Sequence, residues 1–388
     1  MSDGLEIHSI LEFGDEPVQG LWWVLSPSGE SPPIRAGAAS LIVANEERPE
    51  LDERILITGG ATPDGFIDNC VELNLFTGAW KPLVSTDFVA RYEHAMIAAE
   101  DNKTPTVLLG SSNSESLQAQ RLTVSGWEKV DFTGPGISSR TVAQPCSSNK
   151  KLFIWSGGTQ AGPTPDPSVY VVSGSSVEKH KISGEVPSVA QEYAACANDD
   201  FMFVHGGLTA TGKSNSLYRI NLKTFRSKCC SIANDPIGKL AMHKMVLVSN
   251  RIFLFGGLND ENVVSDELWE LSPTNEHLTQ FTARKCVFET KPTPRLAFNF
   301  HVLNLPIAPK SSNSIEAPPP PSGAPNIQPI DDWKVTIDGE NIKAETSETK
   351  IDISDYSHIP VLFIHGGCDA EGEFFNDLYV AAIPPAQN

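Results

Sequence analysis

Short apolar runs that end in paired glycines recur along the chain: Ile55-Leu56-Ile57-Thr58-Gly59-Gly60, Leu152-Phe153-Ile154-Trp155-Ser156-Gly157-Gly158, Phe201-Met202-Phe203-Val204-His205-Gly206-Gly207, Ile252-Phe253-Leu254-Phe255-Gly256-Gly257 and Val361-Leu362-Phe363-Ile364-His365-Gly366-Gly367. A sixth, weaker copy, Val107-Leu108-Leu109-Gly110-Ser111, lacks the second glycine. Counted from the first glycine, positions 59, 110, 157, 206 and 256 are separated by 51, 47, 49 and 50 residues. An apolar run such as Met245-Val246-Leu247-Val248 precedes each glycine-ended run. An alternating run such as Leu217-Tyr218-Arg219-Ile220-Asn221-Leu222 follows it, and then a bulky residue such as Trp80, Trp127 or Phe225 opens a further run. Runs of this length and alternation predict strands, so each unit reads as four strands in a row. The glycines are expected to be structural, because a chain leaving a buried strand in a sharp turn needs positive φ or close backbone approach.

Six such units predict an all-β, six-bladed β-propeller. The last unit ends one strand short, since only Asp377 to Ile383 follows Gly366-Gly367, whereas Leu21-Trp22-Trp23-Val24-Leu25 stands ahead of the first unit without a partner. The N-terminal run is therefore expected to complete the last blade and close the ring. From Gly256 to Gly366 the period doubles to 110 residues, and the excess holds Pro318-Pro319-Pro320-Pro321 followed by an acidic stretch. Residues 1–20 thus read as an extension and 21–388 as one propeller. Residues 306–359 read as a disordered insertion in the last blade, relieved only by the alternating Trp333-Lys334-Val335-Thr336-Ile337.

Composition narrows the partners more than the fold. The 388 residues are 40% hydrophobic and 20% charged, enough for a sizeable core. With 48 acids against 29 bases the formal charge is −19, which repels phosphate backbones and anionic lipid, so neither nucleic acid nor direct membrane insertion is expected. The first twenty residues carry no basic head and no long apolar run, and the seven cysteines form no Cys-x-x-Cys pair, which together point to reduced thiols in the cytoplasm.

Candidate chemistry is sparse. Gly207-Leu208-Thr209-Ala210-Thr211-Gly212-Lys213-Ser214 satisfies the phosphate-loop pattern, but that mechanism needs a helix to start at Lys213, and an alternating strand follows instead. His94, His205, His243, His301 and His365 lack metal-ligand spacing and read as hydrogen-bonded core residues. No catalytic residue, metal site or cofactor is expected. Just before the first strand of four units stand Arg35, Arg91, Arg140 and Arg295, with Gln191 and Leu240 in the other two. Each arginine either caps its own blade or joins a ring at one channel mouth, where guanidinium forks, with Gln191, would meet a partner's carboxylates or phosphates.

The glycine-ended runs, aromatic fourth strands and period near 50 make the chain similar to kelch-repeat proteins over residues 21–388. Within that superfamily it resembles the Rab-effector kelch proteins, through Phe13-Gly14-Asp15-Glu16-Pro17 with Trp22, Ala90-Arg91-Tyr92-Glu93-His94-Ala95, Phe203-Val204-His205-Gly206-Gly207-Leu208 and His365-Gly366-Gly367 ahead of Glu371-Gly372-Glu373. The resemblance implies a non-enzymatic interaction protein that binds a GTP-loaded Rab GTPase. It also implies transport from endosomes to the trans-Golgi network and possible recruitment by a phosphoinositide kinase.

Overall fold

The computed structural model describes residues 8–43, 53–98, 104–113, 118–141, 144–309, 335–338, 341–344 and 356–386, and all its regular elements are strands. It divides into two compact units, Met1–Ile307 with His358–Asn388, and Ala308–Ser357. Within the first unit the strands form six antiparallel meanders among the described residues. Sheet 1 runs through Ala39–Val43, Arg54–Thr58, Cys70–Asn74 and Ala79–Pro82, and sheet 2 through Ala95–Ala98, Pro105–Leu108, Gln120–Thr123 and Gly126–Lys129. Sheet 3 comprises Cys146–Ser148, Lys151–Trp155, Val169–Ser173 and Ser176–His180. Sheets 4 and 5 begin at Ala194–Ala197 and Lys244–Val248, and their outer strands Arg226–Ala233 and Gln280–Cys286 join in parallel.

Second strands read as unbroken apolar runs because both of their faces are covered. Along Arg54–Thr58 every residue after Arg54 is buried. Ile55 and Ile57 pack with Val361, Phe363, Leu378 and Val380 of sheet 6, in one seam core. On the opposite face of sheet 6, Leu362 and Ile364 pack with Phe253, Phe255 and Phe298 in the next seam. Each sheet thus buries both faces against its neighbours, which is why no single central core is needed.

Ring closure is visible as a repeated backbone bond. The amide of Gly60 reaches the carbonyl of Arg91 in the next sheet at 2.9 Å. The series continues as Gly110 to Arg140, Gly157 to Ala190, Gly207 to Leu240, Gly257 to Arg295, and Gly367 back to Arg35. Six links of one kind return to their start. An outer girdle repeats the logic: the segment leaving each outer strand borders the outer strand of the next sheet, as in Trp80 to Ser28, Trp127 to Thr86 and Val177 to Thr133.

Sheet 6 is finished by the N-terminal run. Trp22–Leu25 pairs antiparallel with Phe374–Ala382, placing Trp22 opposite Ala381 and Val24 opposite Tyr379. Trp22 is 1% exposed and lies against Phe255 and Phe288. The segment expected to be a mere extension also contributes, since Ser9–Leu11 adds a fifth strand parallel to Trp22–Leu25.

The glycine repeat needs a correction of register. Equivalent bonds place Leu109 and Ser156, with φ of 64° and 50°, where other sheets have Gly59, Gly206, Gly256 and Gly366. Sheet 2 therefore lost its first glycine rather than its second, and in sheet 3 Gly157, not Gly158, is the second of the pair. Gly158 instead forms an antiparallel bridge with Thr141, as Ala61 does with Ala36. The second-position glycine is irreplaceable on steric grounds: a Cβ on Gly157 would lie 2.5 Å from the Thr141 carbonyl oxygen.

The expected disordered insertion at 306–359 begins and ends inside strands, Asn299–Ile307 and Ser357–Cys368. Between them a two-stranded hairpin pairs Val335–Asp338 with Asn341–Ala344, so the alternating run there is strand-forming. Trp333, the proline run and most of the acidic stretch lie outside the described residues.

Candidate functional site

The four arginines turn inward. They are 0–2% exposed, and each Nε donates to the carbonyl two residues earlier, on Pro33, Val89, Ser138 and Thr293. Nη1 of Arg35, Arg140 and Arg295 donates to Gly59, Ser156 and Gly366, the turn residues of their own sheets, at 2.9–3.0 Å. Arg91 instead donates Nη2 to Gln118 and Gln120. Burial pushes Arg35 and Arg91 down to about 10. Arg35, Arg140 and Arg295 thus hold the turns of their own blades, as in the capping alternative, whereas Arg91 holds the third strand of its sheet and its Nη1 has no hydrogen-bond partner among the described residues; a partner-reading ring would require the forks to leave these sites. The bond series also puts Ala190, not Gln191, at the arginine position of sheet 4; Gln191 pairs its backbone with Leu208.

Among the described residues, Arg295 alone of these arginines meets a carboxylate, binding Asp377 through both terminal nitrogens at 2.6 and 3.0 Å. Arg295→Met is expected to lower stability by about 3–5 kcal/mol, because it leaves the Gly366 carbonyl and the Asp377 carboxylate without their donor. Urea unfolding checks this; an unchanged midpoint would contradict the capping role.

Two residues beyond each arginine position, the chain rounds the channel mouth in left-handed backbone at Gly37, Glu93, Glu192, Met242 and Ala297, with φ of 47–63°. Neighbouring sheets are tied there too: Glu93 donates its amide to Gly37, Gly37 to Ala297, and Met242 to Glu192. The repeat therefore delivers two carboxyl groups to one mouth. Burial raises the Glu93 carboxyl against the opposing pull of Lys244 and a Thr141 hydrogen bond. Burial and then the Glu93 charge carry Glu192 up to about 7. Lys244, on the first strand of sheet 5, is pushed down to about 8 by burial, with Glu93 opposing.

Below the mouth a central cavity of about 340 Å³ is lined by Ser40, Glu93, His94, Gln144, Lys244 and His301 among others. Gln144 bridges sheets across it, accepting from the amides of Ala195 and Met245 and donating to the Met245 carbonyl at 2.7 Å. Ser40 joins sheets 1 and 6 through Asn299 at 2.7 Å and His301 at 2.6 Å. Beside the mouth, Tyr92, Glu93, Ser111, Gln160, Gln191 and Glu192 help line a recess of about 850 Å³. Turn hairpins Ala61–Thr62 with Gly65–Phe66, Gly158–Thr159 with Gly162–Pro163, and Leu208–Thr209 with Gly212–Lys213 stand at the same level of the repeat, and Phe66 stacks on Tyr92.

The phosphate-loop pattern is the third of these hairpins. Lys213 donates to the Asn259 carbonyl at 2.7 Å, and strand Leu217–Asn221 follows, so no helix N-terminus faces the loop. His94 bonds Thr58 at 2.8 Å and His205 bonds His243 at 2.9 Å across the seams, and His301 bonds Ser40 at the cavity wall; His365, against the expectation of a hydrogen-bonded histidine, has no hydrogen-bond partner for either ring nitrogen among the described residues and lies beside the Trp80 ring. Among the described residues no group of three or more His, Cys, Asp or Glu is placed to hold a metal ion. Sequence reasoning missed Glu93, Glu192 and Lys244. Their signal was an offset of two or four residues from the arginine position, readable only once the register was right.

Residues 145–304 match the family model described as the KLHDC2/KLHL20/DRC7 Kelch-repeats domain. The chain is also similar to proteins named Rab9 effector protein with kelch motifs. It is 27% identical to that of Xenopus laevis over 210 residues, 52% of this chain and 57% of the relative. It is 27% identical to that of Danio rerio over 239 residues, 57% and 68% of the two chains. For the Homo sapiens protein the figures are 26% over 210 residues, 51% and 55%. The chain thus spans little more than half the length of the frog and human relatives it matches. Residues 145–304 are of the Kelch-repeat type, within an all-β propeller whose other sheets repeat the same four-stranded plan.

Proposed function

We propose that this chain is a non-enzymatic interaction propeller that serves as an effector of a GTP-loaded Rab GTPase in transport from endosomes to the trans-Golgi network. The observation that carries the proposal is the similarity, at 26–27% identity, to proteins named Rab9 effectors. The face we assign to the partner is the one bearing the turn hairpins and the recess beside Tyr92 and Glu192, because it offers exposed loops on a rigid ring. Among the described residues no helix is long and apolar enough to cross a membrane, so in this proposal the chain reaches endosomal membranes from the cytoplasm through its partner.

Capture of a panel of purified Rab proteins by the full chain tests this, each Rab loaded either with GDP or with a non-hydrolysable GTP analogue. One Rab is expected to bind at least tenfold better in the GTP form. Equal capture of both forms, or capture of no Rab, would overturn the proposal.

A further inference from the structure

Arg219 and Arg226 are the two arginines among the described residues whose side chains form no hydrogen bond or ion pair. Every other described arginine donates to an acceptor. Both line one groove of about 480 Å³ on sheet 4, together with Asn221, Lys228 and Glu185. Strand register brings them there. Arg219 stands opposite Lys228 on the adjacent strand, and Arg226, two residues before Lys228, lies on the same face. The Arg219 guanidinium is held over the Phe201 ring, 4.3 Å from its centroid, and its Nε is buried without a hydrogen-bond partner. The one carboxylate of the lining is already engaged: Glu185 takes the Lys228 ammonium and accepts the Cys229 amide at 3.0 Å. Asn221 accepts through Oδ1 from the Lys223 and Thr224 amides at 3.0 and 2.8 Å, which leaves its Nδ2 as a further donor in the lining.

We propose that this groove receives the phosphate of a phosphorylated serine or threonine on a partner protein, a contact that does not depend on the GTPase reading. Like charges on neighbouring strands disfavour one another, and an anion set between them reverses the sign of that interaction. Two guanidinium forks match a phosphate dianion in charge and in bidentate geometry, whereas a single carboxylate would leave one fork unmatched. A formal charge of −19 repels an anionic lipid surface at long range, so a phosphate carried on a protein side chain, which meets mainly the local field, is the better fit. The groove is larger than a phosphate ion, and Thr224, Arg226 and Lys228 on its rim are exposed, which leaves room for the chain that bears the phosphate.

The test measures fluorescence anisotropy of a labelled peptide that carries one phosphoserine among neutral Gly and Ser residues, titrated with the full chain. The phosphopeptide is expected to bind at least tenfold more tightly than its unphosphorylated twin. Combining Arg219→Gln with Arg226→Gln is expected to remove that difference, while Lys81→Gln, on sheet 1, leaves it in place. Equal affinity for the two peptides, or an undiminished preference in the double variant, would overturn the proposal. So would inorganic phosphate that displaces the peptide at the peptide's own concentration, which would make the free ion the ligand. Tighter binding to vesicles containing phosphatidylinositol 4-phosphate than to the phosphopeptide would assign the groove to a membrane and overturn it as well. The first comparison uses the unaltered chain, and Arg226→Gln alone, at an exposed position, is expected to weaken phosphopeptide binding about threefold, so a folding defect at Arg219 does not remove the test.

Discussion

Deletion of residues 1–26 is expected to leave no folded monomer. The deletion takes Ser9–Leu11 and Trp22–Leu25 out of sheet 6 and leaves Phe374–Ala382 without Trp22–Leu25 on its outer side. Trp22, Leu25 and Leu11 are 1%, 3% and 4% exposed. Emptying a buried tryptophan site alone costs about 3–5 kcal/mol, and a buried leucine about 2–5 more. That sum approaches the whole stability of a typical fold, about 5–15 kcal/mol. The loss also breaks the outer girdle where Glu289 donates to Gly20 and where Thr290 bonds both backbone groups of Trp22. A bared strand edge then invites pairing between chains. Size-exclusion chromatography and thermal melting read the outcome as aggregation or a missing transition. A soluble monomer melting like the intact chain would show that the ring does not depend on this strand.

Acid should unfold the protein well above the pH at which ordinary carboxylates titrate. Burial holds His205 and His301 down at about 4 and His365 at about 3, the last also in the field of Arg35, Arg295 and His301. An unfolded histidine titrates near 6.5. Below that pH the unfolded chain binds protons that the fold refuses, so stability present above pH 6.5 is lost as the pH falls toward 4. Each group contributes about 3 kcal/mol across that interval. Glu192 acts in the opposite direction: raised to about 7, its carboxyl is protonated in the fold before it is in the unfolded chain, which offsets about one histidine. The net expectation is a fall of roughly 5 kcal/mol between pH 7.5 and 4.5, measured by urea unfolding at the two values. Equal midpoints would mean that burial does not hold these imidazoles neutral.

The plan of the molecule was legible because strand length, alternation and glycine-ended runs are local signals. The unpaired run at Trp22 was legible as a closing strand because one unit visibly lacked a fourth. Register was harder. Leu109 and Ser156 adopt left-handed backbone despite its cost of about 1–2 kcal/mol to an L-residue, so no glycine marks the turn at either position. Aligning Gly110 and Gly157 as first glycines shifted two units by one residue, and the same kind of slip set Gln191 in the place that Ala190 holds. The arginines were located but not their direction, because a fork that reaches a partner and a fork that reaches the carbonyl two residues back have the same sequence. Glu93 and Lys244 come to one cavity only through ring geometry, from sheets 2 and 5.

Six sheets form one ring, closed by the strand at Trp22–Leu25. Hydrogen exchange on the intact chain tests it most directly, by comparing amides in residues 22–25 with those in 361–364 of the same sheet. Both sets are expected to exchange together, at the slow rate set by opening of the whole ring. Exchange of residues 22–25 at the rate of exposed loops, while residues 361–364 stay protected, would contradict it.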